Sequence, residues 1–154
     1  MTKQTPQHLF YLKVERRGDC LEWTGYRNPK GYGKFKLNGK VRTATHVVWE
    51  WAHGPLPEGR ELDHRCHNHA CVRLRHLRPV THKENMENFR GATKRSKSGV
   101  RGVHQAGKSW IAQVTHRRVN YYLGVFPTPE LADAAATAKR LELFTHNDAD
   151  RRAA

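Results

Sequence analysis

From Gly31 to Leu37 the polar side chains Tyr32, Lys34 and Lys36 interleave with Gly33, Phe35 and Leu37, the two-residue period of a half-buried strand. Asn38-Gly39 follows, a pair that readily takes the left-handed conformations of a tight hairpin, so Lys40 to Ala44 is expected as the return strand. His46 to Ala52 is apolar enough for a short helix or a buried segment, ended by the Gly- and Pro-containing loop from His53 to Gly59. A short strand is expected from Arg60 to His64. After Pro79, Thr81 and Glu84 stand at capping-box spacing, which predicts a helix from His82 to about Phe89 with Asn85 in its first turns. Three further strands are expected at Val100–His104, Lys108–Thr115 and Val119–Phe126. Thr128-Pro129-Glu130 then opens a helix, with Leu131, Ala134, Ala135, Ala138 and Leu141 forming one small-residue face to lie on the sheet. Thr145 to Ala154 is polar and expected to fray.

Between the two patterned halves, Arg90 to Gly99 is basic, rich in small residues and without apolar periodicity, so it reads as a linker whose Lys94 and Arg95 lie along phosphates. The organisation expected is a first domain over 1–90, a linker over 91–99, a second domain over 100–146 and a tail over 147–154. Charge sharpens this picture. Lys and Arg number 28 against 14 Asp and Glu, a net +14 over 154 residues. Such an excess favours a polyanionic partner, because neutralising phosphates releases condensed counterions. A membrane surface is the other polyanion, but no basic amphipathic helix, spanning run or signal peptide stands out. A soluble, intracellular chain is therefore expected, in which cysteines serve as metal ligands rather than disulfides.

The cysteines are Cys20, Cys66 and Cys71; four residues separate Cys66 from Cys71, and His76 follows Cys71 at the same spacing. Tetrahedral Zn²⁺ prefers four thiolate or imidazole ligands, and Cys20, Cys66, Cys71 and His76 supply such a set. Three buried free thiols would satisfy the same count, but the polar His67-Asn68-His69 between them does not suit a core. His67 or His69 could stand in for His76. With four protein ligands no position is left for substrate, so the site reads as structural.

Asp63-His64 closes the strand before Cys66, and Asn85 lies 21 residues beyond His64. Phosphodiester hydrolysis needs a base to activate water and a cation to stabilise charge at the phosphate. An imidazole suits the first task. A carboxylate and an amide oxygen holding a hard divalent cation suit the second, Mg²⁺ being the natural choice, or Mn²⁺.

The segment Leu62-Asp63-His64-Arg65-Cys66-His67-Asn68-His69-Ala70-Cys71, with His76-Leu77, Thr81 and Glu84-Asn85, resembles the His-Me finger nucleases, both the HNH endonucleases of phages and the His-Cys box homing endonucleases. The resemblance runs from Cys20-Leu21-Glu22-Trp23-Thr24-Gly25 to Asn88. It implies His64 as general base, Asn85 and Asp63 as ligands of the catalytic metal, and Cys20, Cys66, Cys71 and His76 as the zinc set. The literal triplet His67-Asn68-His69 falls outside the motif, as loop filler or a phosphate contact. The second zinc site of the His-Cys box branch has no counterpart after Cys71.

In the second half, Arg101, His104, Lys108, Trp110, Arg117, Arg118, Tyr121 and Tyr122 interleave basic and aromatic side chains, while Trp110, Val114, Leu123 and Phe126 suit a core. Ser98-Gly99-Val100-Arg101-Gly102-Val103 and Tyr122-Leu123-Gly124-Val125-Phe126, with the Ala-rich helix, resemble the Apetala/ethylene-response-factor DNA-binding domain. That likeness implies DNA-facing positions at Arg101, His104, Gln113, Thr115 and Tyr122. The fold expected is α+β: a zinc-stabilised ββα-metal nuclease followed by a three-stranded antiparallel sheet packed on one helix. The function expected is a phage-encoded HNH homing or nicking endonuclease acting on double-stranded DNA in the host cytoplasm, as monomer or homodimer. The alternatives are a non-catalytic zinc-containing DNA-binding regulator and a structure-specific or RNA-directed nuclease.

Overall fold

The computed structural model describes residues 4–94 and 96–152 and divides into two compact units, Met1–Lys83 and Glu84–Ala154. It is a mixed α and β structure with small antiparallel sheets.

The first unit opens with α1 (Pro6–Tyr11), an element that the sequence pattern did not reveal. Thr5 caps it by accepting the His8 N–H at 3.2 Å, with Pro6 at the first helical position. Its task is to deliver Phe10, fully buried, onto Trp23 and Phe35 at ring separations of 4.9 and 5.2 Å. Strands β1 (Val14–Arg17) and β2 (Cys20–Trp23) pair antiparallel. Strands β3 (Lys34–Leu37) and β4 (Lys40–Thr43) form the expected hairpin about Asn38 and Gly39, at φ +49° and +81°, with β3 starting three residues after the expected Gly31. The return strand stops at Thr43, because Ala44 already begins helix α2 (Ala44–His53). That helix buries Ala44, Val47 and Val48 against the Phe10–Trp23–Phe35 cluster, which also takes in Val72 and Leu77. Strand β5 (Glu61–His64) pairs with β6 (Leu77–Val80), placing Asp63 opposite Arg78 and His64 opposite Leu77. Between them run the cysteine loop and a short 3₁₀ turn, Leu74–His76; helix α3 (His82–Glu87) follows.

The second unit carries a sheet in the order β7 (Val103–Ala106), β8 (Ser109–His116), β9 (Val119–Phe126), covered on one face by α4 (Pro129–Leu143). The strand expected at Val100 starts three residues later. Ser98 Oγ accepts the Val100 N–H and donates to the Val103 carbonyl, and Gly102 at φ +79° brings the backbone against the Gln113 carbonyl, so Val100–Gly102 is a turn. Thr128 caps α4 through the Leu131 N–H.

The buried face of α4 differs from the expected one. Ala132 and Ala136 pack on the sheet with Ala135 of the expected face half-buried beside them, Arg140 is buried as well, and Leu131 is 51% exposed. Arg140 explains the rotation. It is buried, donating to both Asp150 oxygens at 2.6 and 3.0 Å, to Thr137 Oγ1 at 2.7 Å and to the Arg101 carbonyl at 2.8 Å. A buried guanidinium holds only where charge and hydrogen bonds are matched in this way. The same pairing corrects the frayed tail: Asn147 caps α5 (Asp148–Arg151), and both Asn147 and Asp148 are buried.

Candidate metal and catalytic centre

Strand β2 begins with Cys20, β5 leads into Cys66, Cys71 bridges back to Glu22, and the 3₁₀ turn ends on His76. Their ligand atoms all lie within 4.8 Å of one another. His76 Nδ1 faces Cys71 Sγ at 3.4 Å and Cys20 Sγ at 3.7 Å. His67 and His69 are not part of this cluster. Asn68 explains the loop's shape: its amide donates to Glu22 at 2.6 Å while its Oδ1 and main-chain carbonyl accept from Ala70 N and Cys71 N.

The thiols impose their own electrostatics. The hydrogen bond from Cys66 pulls Cys71 down to about 4, and that same bond, with burial, pushes Cys66 up. Burial, and then Cys71, push Cys20 up. Three sulfurs this close ionise together only around a cation, and the soft donor set fits a tetrahedral divalent ion. The sequence reading missed Asp19. Its carboxylate accepts from His76 Nε2 at 3.0 Å and pairs with Arg73 and Arg75, fixing which imidazole nitrogen turns to the sulfurs.

Beside this cluster lies His64, buried at the end of β5. Its Nε2 faces the Cys71 carbonyl at 3.1 Å, an acceptor only, so Nε2 carries the proton and the neutral ring's lone pair sits on Nδ1. Burial lowers its pKa, the Cys71 carbonyl offsets part of that, and His69 adds to the lowering. Cys71 therefore turns its sulfur to Cys20, Cys66 and His76 and its carbonyl to His64. Asp63, also buried, accepts from Arg78 Nε and Nη2 at 2.9 and 2.8 Å, both on Oδ2. Asn85 stands half-buried on α3.

Residues 42–96 match the family model of the HNH endonucleases. That stretch holds Asp63, His64, Cys66, Cys71, His76 and Asn85; Cys20 precedes it. That match is a likeness to an endonuclease family over those residues alone. Three curated phage proteins are similar to this chain. Protein 7.7 of Escherichia phage T7 is 42% identical over 71 residues, 46% of this chain and 55% of its own length. Uncharacterized gene 5.3 protein of Enterobacteria phage T3 is 32% identical over 66 residues, 39% of this chain and 65% of its own. Protein 2.8 of Escherichia phage T7 is 37% identical over 76 residues, 48% and 50% of the two chains. The chain thus spans between half and two thirds of these relatives. No solved structure matches.

In the second unit, His104, Lys108, Thr115, Arg117 and Tyr122 are exposed, and Gln113 is half-buried. Gln113 pairs with Tyr122 and Thr115 with Asn120 across β8 and β9, on the sheet face opposite Ala112 and Val114. Arg117 and Arg118 form the β8–β9 turn, at φ +50° and +67°. Arg101 is placed differently. Its guanidinium donates to the carbonyls of Met86, Glu87 and Phe89 and lies 5.3 Å from the Phe144 ring centre, so it caps the end of α3. Lys94 is exposed, and Arg95 lies outside the described residues. Among the described residues no helix is long and apolar enough to cross a membrane.

Proposed function

We propose that this chain is a DNA endonuclease that hydrolyses phosphodiester bonds in double-stranded DNA, in a homing or nicking role, with His64 as general base. The observation that carries the reading is the His64 tautomer. The Cys71 carbonyl holds the proton on Nε2 and burial keeps the ring neutral, so Nδ1 can take a proton from water at ordinary pH. Asp63 and Asn85 are the residues to hold a catalytic Mg²⁺ or Mn²⁺. Asp63 offers hard carboxylate oxygen, and the two N–H groups of Arg78 orient it as ligating carboxylates are oriented. When bound, that ion supplies charge stabilisation at the phosphate and the leaving oxygen. Zn²⁺ is the ion proposed for Cys20, Cys66, Cys71 and His76, as a staple for a loop-rich unit. The specific ββα-metal description rests on the β5–β6 pair followed by α3.

DNA recognition is assigned to the open face of the β7–β9 sheet and its turns: His104, Gln113, Thr115 and Tyr122, positions of the Apetala/ethylene-response-factor likeness, with Lys108 and Arg117 beside them and Lys94 and Arg95 of the linker on phosphates. Arg101, committed to α3, is left out of this set. The domain bounds proposed stay at 1–90, 91–99 and 100–146.

The test is nicking of supercoiled plasmids carrying random inserts, with Mg²⁺, by wild type and His64→Ala. Loss of the base should cost on the order of 10²- to 10⁴-fold in rate with the fold intact. A wild-type protein that shifts DNA in gels yet never nicks it would sink the proposal in favour of a DNA-binding regulator.

A further inference from the structure

The loop from Asn28 to Gly33 is built more tightly than a connection requires. Asn28 Oδ1 accepts the N–H groups of Lys30 and Tyr32 at 3.1 and 2.9 Å, and the Asn28 N–H donates to the Tyr32 carbonyl at 2.9 Å. Gly31 turns at φ +86°, and a Cβ on Gly33 would lie 2.6 Å from the Trp23 ring. Tyr32 is thus fixed from both sides. Its ring stacks on His69 at 4.4 Å and 7°, and stands 5.9 Å from the His64 ring. His69 is in turn held by the same loop, Nδ1 donating to the Lys30 carbonyl at 2.7 Å.

The phenol at the end of this arrangement makes no hydrogen bond with any described residue. Burial first, then the carboxylates of Asp63 and Glu61, raise its pKa, so it stays a neutral O–H donor in the field of the β5 carboxylates. A half-buried donor whose ring stands beside His64, bonded to no described residue, is open to water or to an oxygen of a group bound there.

We propose that Tyr32 is a further catalytic residue, its hydroxyl donating to a non-bridging oxygen of the phosphate that His64-activated water attacks. This rests on the nuclease reading above. Such a donor acts by meeting charge that grows on the phosphate oxygens in the transition state. It moves no proton and forms no bond.

Tyr32→Phe keeps the ring, the stack on His69 and the loop, and removes only the hydroxyl. In the plasmid assay its kcat should fall at least tenfold and on the order of a hundredfold, with KM, metal content and melting temperature near wild type. Tyr32→Ala, which also loses the stack, should be no faster than the Phe variant. If the Ala chain fails to fold, the Phe variant alone decides. Wild-type kcat in Tyr32→Phe, whatever its KM, would overturn the role and leave Tyr32 as packing. A wild-type protein that does not nick would overturn the nuclease reading and this inference with it, so the two failures are told apart by the wild-type lane.

Discussion

With zinc held by Cys20, Cys66, Cys71 and His76 as proposed, removing it should unfold the first unit and spare the second. The perturbation is Cys66→Ser combined with a chelator. Its size follows from where the ligands sit. Cys71 is fully buried between Ala70 and Val72, and His76 directly precedes Leu77; Val72 and Leu77 are both members of the Phe10–Trp23–Phe35 cluster. Cys20 opens the strand that ends in Trp23. The cluster therefore ties three separate segments to one small core. Zinc held by such ligands is worth roughly 10–16 kcal/mol at neutral pH, against a whole-domain stability of about 5–15 kcal/mol, so the apo unit has no margin. The His64–Cys71 carbonyl bond goes with it, and nicking should disappear together with the fold. Amide NMR spectra report the units separately: resonances up to residue 83 should collapse on chelation, while those of the β7–β9 sheet, Trp110 included, persist. A milder companion is Asp19→Asn, which leaves all four ligands but weakens the hold on His76 Nε2; metal affinity by chelator competition should fall about 10- to 100-fold. Unchanged melting and spectra after complete metal removal would refute the reasoning.

Two further outcomes test the packing. Arg101→Met should destabilise the second unit by about 2–3 kcal/mol in urea titrations, since three main-chain carbonyls lose a charged donor; an unchanged urea midpoint with a lower salt slope of DNA binding would instead return Arg101 to the DNA interface. His46 governs an acid limb in the first unit. Its Nδ1 is buried without a hydrogen-bond partner among the described residues, and burial, then the Arg42 charge, lower its pKa below 6.5. Above that value both states are neutral and nothing is lost. As pH falls from 6.5 toward the lower folded value the unfolded chain takes the proton first, and stability drops by at most about 1.4 kcal/mol per pH unit. His46→Leu should flatten the difference between urea midpoints at neutral and mildly acidic pH, and an equally steep limb in the variant would count against the assignment.

What was legible in the sequence was whatever depends on neighbours along the chain. Asn38-Gly39 and Thr128-Pro129 act within a few residues, and the β3–β4 hairpin and the α4 start fell where their chemistry put them. The spacing of Cys66, Cys71 and His76 spoke as clearly, because a metal ion demands several ligands of one kind. The errors share the opposite cause. The α4 face was turned about its axis because alanines are too alike to mark a buried side, and the residue that marks it is an arginine whose anion, Asp150, lies in a segment that looked like a tail. Arg101 adds a finding of its own: a basic side chain carries no sign of where its guanidinium ends, and without DNA the α3 carbonyls hold it. Asp19 and Tyr32 escaped for the same reason, each set against a partner far along the chain, His76 for one and His64 with His69 for the other. Gly31-Tyr32-Gly33 did carry a local sign. A tyrosine between two glycines is one the backbone has been shaped to present, and in this fold it is presented to His64.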